Sequence, residues 1–157
     1  MHWGGWAVYG IAATVTLTAI MVGAQLAGLS RMDIPLMLGT MFTERPDRAR
    51  FVGFLVHVVN GQIFALGYAA AFSLLGRAEW WIGGLFGLWH GMAALVVLVP
   101  LASGVHPRMA TDRSGPELHA VLEPPGLLAL NYGRETPIVT LLAHVTFGVI
   151  LGTFLTP

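Results

Sequence analysis

The sequence predicts an all-α integral membrane protein with four transmembrane helices arranged as two tandem duplicated hairpins. Three observations predict it. First, 55% of the 157 residues are hydrophobic, only 10% are charged, and the mean hydropathy is +0.72. A soluble domain carries about a quarter charged residues, and a water-exposed chain this apolar would aggregate. Second, four uncharged stretches each reach the roughly 20 residues that a spanning helix needs. Third, two sequence blocks recur in order about 90 residues apart. An ordinary globular protein, a disordered chain and a nucleic-acid-binding domain are excluded.

The four stretches are Trp3 to Ser30, Phe51 to Gly76, Trp80 to Val105 and Thr136 to Pro157. Each is expected to be a helix, because lipid forces backbone polar groups to pair within the segment. The first does not read as a cleavable signal, since no basic region precedes it and its apolar run is too long. All four belong to one transmembrane domain, 1–157, with repeat one over 1–76 and repeat two over 80–157. Four spans put the loops 31–50 and 106–135 on one side. These loops hold Arg31, Arg45, Arg48, Arg50, Arg108, Arg113 and Arg134, against Arg77 alone on the other side. The positive-inside rule then places both long loops in the cytoplasm and both termini outside. Trp3, Trp6, Trp80 and Trp81 are expected to form an outer aromatic belt.

The repeat pairs Asp33-Ile-Pro35-Leu-Met-Leu38-Gly-Thr-Met-Phe42 with Glu123-Pro-Pro125-Gly-Leu-Leu128-Ala-Leu-Asn-Tyr132. It also pairs Leu55-Val-His57-Val-Val-Asn-Gly61-Gln-Ile63 with Leu142-Ala-His144-Val-Thr-Phe-Gly148-Val-Ile150. Each unit has an even number of spans, so the halves share one orientation, related by an axis along the membrane normal. Residues 33–42 and 124–132 are apolar, contain Pro and are too short to span. They are expected to form short interfacial cytoplasmic segments.

His57 and His144 are the matched pair, roughly 9–12 Å below the cytoplasmic boundary at 1.5 Å per residue. Polar residues within a membrane are functional candidates. In one reading they ligate a haem b iron from both faces. Gly61 and Gly148 then clear space for the macrocycle, and Arg31 or Arg108 pairs with its propionates. Chlorophyll magnesium would suit the same pair. In the other reading the small-residue stripes only let helices pack, and each histidine hydrogen-bonds a neighbour. His90, beside the stripe Gly83-Gly87-Gly91, would extend the pair to three histidines suited to a transition metal. Asp33 and Glu123 would complete a His/carboxylate set, although carboxylates at these positions equally cap short helices. His106 and His119, in a loop, are expected to be solvated. The stretch Thr111 to His119 looks like an exposed docking excursion.

Without cysteine, disulfides, zinc-thiolate sites and iron–sulfur clusters are excluded. All eight basic residues are arginine and the net charge is zero, which argues against a polybasic patch. No phosphate-binding loop, GxSxG or HExxH motif is present. The leading expectation is a membrane subunit that holds haem or a metal for electron transfer or cofactor handling. A non-catalytic accessory subunit of a larger complex, pigment-binding included, and a small oligomeric transporter or channel are the alternatives. The bilayer is the expected partner, with other membrane subunits or a second copy, and no nucleic acid.

Leu-Gly-Thr-Met-Phe-Thr (38–43), His-Pro-Arg-Met (106–109) and Leu-Glu-Pro-Pro-Gly with Leu-Asn-Tyr-Gly (122–133) together resemble a family of small, uncharacterised bacterial four-helix inner-membrane proteins. The similarity runs from about residue 30 onward. It implies a bacterial source and the cytoplasmic membrane, and it carries no mechanism.

Overall fold

The computed structural model describes residues 3–110 and 122–156. Their elements are helical: α1 (Trp3–Leu26), α2 (Ile34–Gly39), α3 (Pro46–Leu75), α4 (Trp80–Ala93), a π-helical turn (Ala94–Leu98), α5 (Val99–Val105), a 3-10 segment (Leu127–Tyr132) and α6 (Thr136–Phe154). Four helices are long and apolar enough to cross a membrane: Gly5–Leu26, Pro46–Leu75, Trp80–Val105 and Thr136–Phe154. Large apolar side chains are exposed along all of them, among them Val15, Ile63, Leu85 and Ile138. Such a surface suits lipid, and a multi-pass membrane protein is the class it defines.

Local chemistry sets the helix ends. Gly28 adopts a φ of +72° after α1, and the Leu29 amide bonds the Ala24 carbonyl at 2.9 Å. This left-handed exit stops α1 short of Ser30. The second span starts at Pro46, ahead of its apolar run. Proline suits a first helical turn, and the charged side chains of that turn can project past the apolar zone. Inside α1, the hydroxyls of Thr14, Thr16 and Thr18 donate to carbonyls four residues back at 2.7–2.8 Å, so they are satisfied without water. Pro100 has no N–H to continue the helix. The π turn just before it, where the Val99 N–H reaches the Ala94 carbonyl, absorbs the misfit.

Glycines fix how the spans meet. A Cβ on Gly148 would stand 1.9 Å from the Gly83 carbonyl oxygen, and one on Gly87 would stand 2.3 Å from the His144 carbonyl oxygen. α4 and α6 are therefore in backbone contact, as the stripe at Gly83-Gly87-Gly91 predicts. α6 also packs on α1, and α1 packs on α3. α3 and α4 stay apart as backbones and meet through aromatic rings, with Phe72 stacked on Phe86 at 5.7 Å. The bundle is thus a horseshoe whose open side lies between the second and third spans. An exact twofold would make the α1–α6 and α3–α4 contacts alike, and they differ.

One end of the bundle is closed by the two arginine-rich loops. Asp33 caps α2 by accepting from the Leu36 N–H at 2.8 Å, and it pairs with Arg50 at 2.9 Å. α2 lies hard against α3: a Cβ on Gly53 would meet the Pro35 carbonyl oxygen at 1.7 Å. The second loop is tied to the first. Arg31 pairs with Glu123 at 2.8 Å, its N–H bonds the Tyr132 carbonyl at 2.7 Å, and Ser30 shares a 2.8 Å hydroxyl bond with Thr136. At the other end Trp80 and Trp81 are exposed, with the Arg77 guanidinium 5.7 Å from the Trp81 ring. Trp6 is partly buried. The Trp3 side chain, Arg113, His119 and the Thr111 to His119 stretch lie outside what the structure describes.

Candidate functional site

The side of α6 turned toward the interior presents Thr140, His144 and Phe147, spaced to lie on one helical face. α3 brings His57, Asn60 and Phe64, and α4 brings His90. These residues line one partly open cavity of about 400 Å³, together with Leu17 of α1 and Met32, Met37 and Leu38. No charged side chain lines it. Volume and composition are those of a small-molecule or cofactor site, apolar with a few convergent polar groups.

His144 is buried, and its Nδ1 lies 2.8 Å from the Thr140 carbonyl oxygen. A carbonyl only accepts, so Nδ1 carries the proton and Nε2 keeps a lone pair, the tautomer of a metal-ligating histidine. The His90 ring meets the His144 ring edge-on, with centres 4.7 Å apart, and packs against Phe64 at 4.0 Å. Two imidazoles on a single ion, each nitrogen about 2 Å from the metal, hold their centres about 5 Å apart. The His90–His144 spacing is close to that. His57 Nε2, His90 Nδ1 and Thr140 Oγ1 are buried without a hydrogen-bond partner. Each unpaired buried polar atom costs about 1–3 kcal/mol. A ligand offering complementary polar atoms would recover much of that.

Among the described residues, no three His, Cys, Asp or Glu side chains gather closely enough to hold a metal ion. Asp33 and Glu123 do not line the cavity; they serve Arg50 and Arg31. Capping holds for Asp33 only, since the 3-10 segment begins after Gly126, which offers no side-chain cap. Arg31 also donates to the Asn131 carbonyl, while Arg108 donates to the Thr40 carbonyl at 2.7 Å and reaches Glu44 at 3.5 Å. Gly61 lines the cavity but faces Thr14, whose Oγ1 would stand 1.9 Å from an added Cβ. Gly148 faces Gly83. Helix packing therefore accounts for both glycines.

His106 is not solvated. It is buried, receives the Arg108 N–H on Nδ1 at 3.0 Å and sets Nε2 2.9 Å from the Met37 carbonyl oxygen. It clasps the second loop onto α2. Thr140, Phe64 and Tyr68 are inconspicuous in the sequence. Only the spacing of Thr140, one turn before His144, hints at the first of them.

A multi-pass helical membrane protein with a histidine-lined, charge-free cavity is what this fold and site define. No family model, curated protein or solved structure matches the chain.

Proposed function

We propose that this chain is a membrane subunit that holds a transition-metal ion or a haem in the histidine cavity, serving electron transfer or cofactor handling. The observation that carries this reading is the edge-to-face pair of His90 and His144, 4.7 Å apart, with His90 Nδ1 and the nearby His57 Nε2 buried and unpaired in the same apolar cavity. His144 Nε2 and His90 are the first two donors, and a rotation of His57 would supply the third. The contacts favour a bare ion over a macrocycle, because Gly61 and Gly148 are taken up in packing and Arg31 and Arg108 already have partners. Imidazole ligands suit iron, copper, nickel and zinc.

The same reading takes residues 1–76 and 80–157 as copies of one hairpin. In each, the glycine one turn after the histidine faces the first helix of its own hairpin, Gly61 on Thr14 and Gly148 on Gly83. The arginine bias places the clasped loops in the cytoplasm.

Elemental analysis and a reduced-minus-oxidised spectrum of the purified protein test the proposal. About one metal or haem per chain is expected, lost in His144→Ala and His90→Ala variants that keep their helical circular dichroism. A folded, colourless, metal-free protein that takes up no added ion or haem removes the reading.

A second reading, an accessory subunit of a larger complex, is favoured by the open side between the second and third spans. Copurification with other membrane proteins in mild detergent is its expected outcome.

A further inference from the structure

Every side chain that offers a donor atom to the histidine cavity is uncharged. His57, His90 and His144 line it with Met32 and Met37, and no Asp, Glu, Lys or Arg is among the lining residues. The chain has no cysteine to supply a thiolate. The acids of the adjoining loops are engaged elsewhere, Asp33 with Arg50 and Glu123 with Arg31. A cation in this cavity therefore keeps its full charge. The cost of taking an ion out of water rises with the square of that charge, so a divalent ion is penalised about four times as heavily as a monovalent one of like size.

The two methionines are held in place. Met32 is 2% exposed and Met37 7%. The Met32 N–H donates to Ser30 Oγ at 3.1 Å, and the Met32 carbonyl accepts from Gln25 Nε2 at 2.7 Å. The Met37 N–H donates to the Asp33 carbonyl at 2.8 Å, and the Met37 carbonyl accepts from His106 Nε2 at 2.9 Å. With both backbones pinned, the side chains border the cavity, and their rotatable bonds let each sulfur adjust to a guest.

We infer that this cavity selects copper(I). The inference rests on the metal reading above and names its ion. Charge favours it, because a neutral donor set tolerates a monovalent cation best. Softness favours it, because thioether sulfur beside imidazole nitrogen suits copper(I) over harder divalent ions. Coordination number favours it too. Among the described residues only His90 and His144 bring imidazoles into ring contact, and no three His, Cys, Asp or Glu side chains gather closely enough for an ion. Structural zinc almost always takes four donors, whereas copper(I) is stable with few. Two imidazoles closed by a methionine sulfur satisfy copper(I) and leave zinc(II), iron(II) and nickel(II) short of both donors and negative charge.

Anaerobic titration of the full-length protein in nanodiscs with copper(I) bicinchoninate tests it, since the coloured chelate fades as copper(I) leaves it. About one copper(I) per chain should transfer. Silver(I), of the same charge and softness, should displace it, and zinc(II) in roughly hundredfold excess should not. Leucine keeps the volume of methionine, so a Met32→Leu/Met37→Leu double variant should retain its helical circular dichroism. It should bind copper(I) at least tenfold more weakly and lose the sulfur shell from the copper X-ray absorption spectrum. Transfer should also fail in His144→Ala. Binding that ignores the double change, or that zinc(II) displaces, overturns the inference. A protein that takes up zinc(II), iron(II) or haem through His90 and His144 but no copper(I) sinks this inference and keeps the metal-site reading. A folded protein that takes up none of them sinks both.

Discussion

Tyr132 shows how single side chains hold the closed end together. Its ring is buried, and its hydroxyl donates to the Glu123 carbonyl at 2.7 Å. Burial first, then the nearby Glu123 charge, push its pKa up to about 12, with Arg31 opposing. The folded chain therefore favours the neutral phenol, while the unfolded chain ionises near 10. The stability this provides is complete below pH 10 and is lost as pH rises toward 12. A Tyr132→Phe variant should show a flatter decline of thermal midpoint between pH 10 and 12 than the parent. Parallel declines would mean that Tyr132 does not set the alkaline limit. The neighbouring acid Glu123 illustrates a limit of pattern reading. Its alignment with Asp33 suggests a shared cap, but only Asp33 has a helix beginning after it that can use one. Glu123 precedes a segment whose Leu128 and Ala129 take left-handed φ values of 53° and 60°, and it pairs with Arg31 instead.

The helices themselves divide into faces that touch backbone and faces that touch nothing. Gly148 meets the Gly83 carbonyl at a distance no Cβ tolerates, whereas Gly23 has open space where a side chain would begin. Gly148→Ala should therefore destabilise by about 1–3 kcal/mol or more, the cost of overpacking a core. Gly23→Ala should be neutral or slightly stabilising, as alanine is the better helix former. Unfolding midpoints in mixed micelles will check both, and equal midpoints would mean that α4 and α6 are not in backbone contact. The glycine spacing made the α4–α6 contact legible in advance. The π turn at Ala94–Leu98 was not legible, because Pro100 predicts a defect in the helix but not which defect. That turn contributes Ala94 and Leu98 to the cavity wall beside His90, and such turns recur at functional sites.

The bundle as a whole carries an asymmetry that a simple duplication would not. α1 and α6 pack closely while α3 and α4 leave their side open. Its two ends also differ. One is clasped by Arg31, Arg50, Arg108 and His106, and the other is bordered by Trp80, Trp81 and Arg77. With the arginine-rich end inside, cysteines introduced at Arg48 and Arg134 should resist a membrane-impermeant thiol reagent in intact cells, and one at Ala78 should react. The native chain has no cysteine to confuse the result. Labelling of the opposite set would reverse the orientation.

Sequence alone was enough to determine that the described chain forms four apolar helices, where most of them begin and end, and that histidines lie at membrane depth. Those properties follow from local composition, since hydropathy, proline and glycine act within a few residues of where they stand. Only the tertiary structure decided which histidines meet. His57 and His144 are the pair that the sequence pattern matches, but His90 is the one in ring contact with His144. Imidazole contact depends on the rotation of each helix about its axis. That rotation is set by close glycine contacts between α4 and α6, which hold the third and fourth spans in backbone contact.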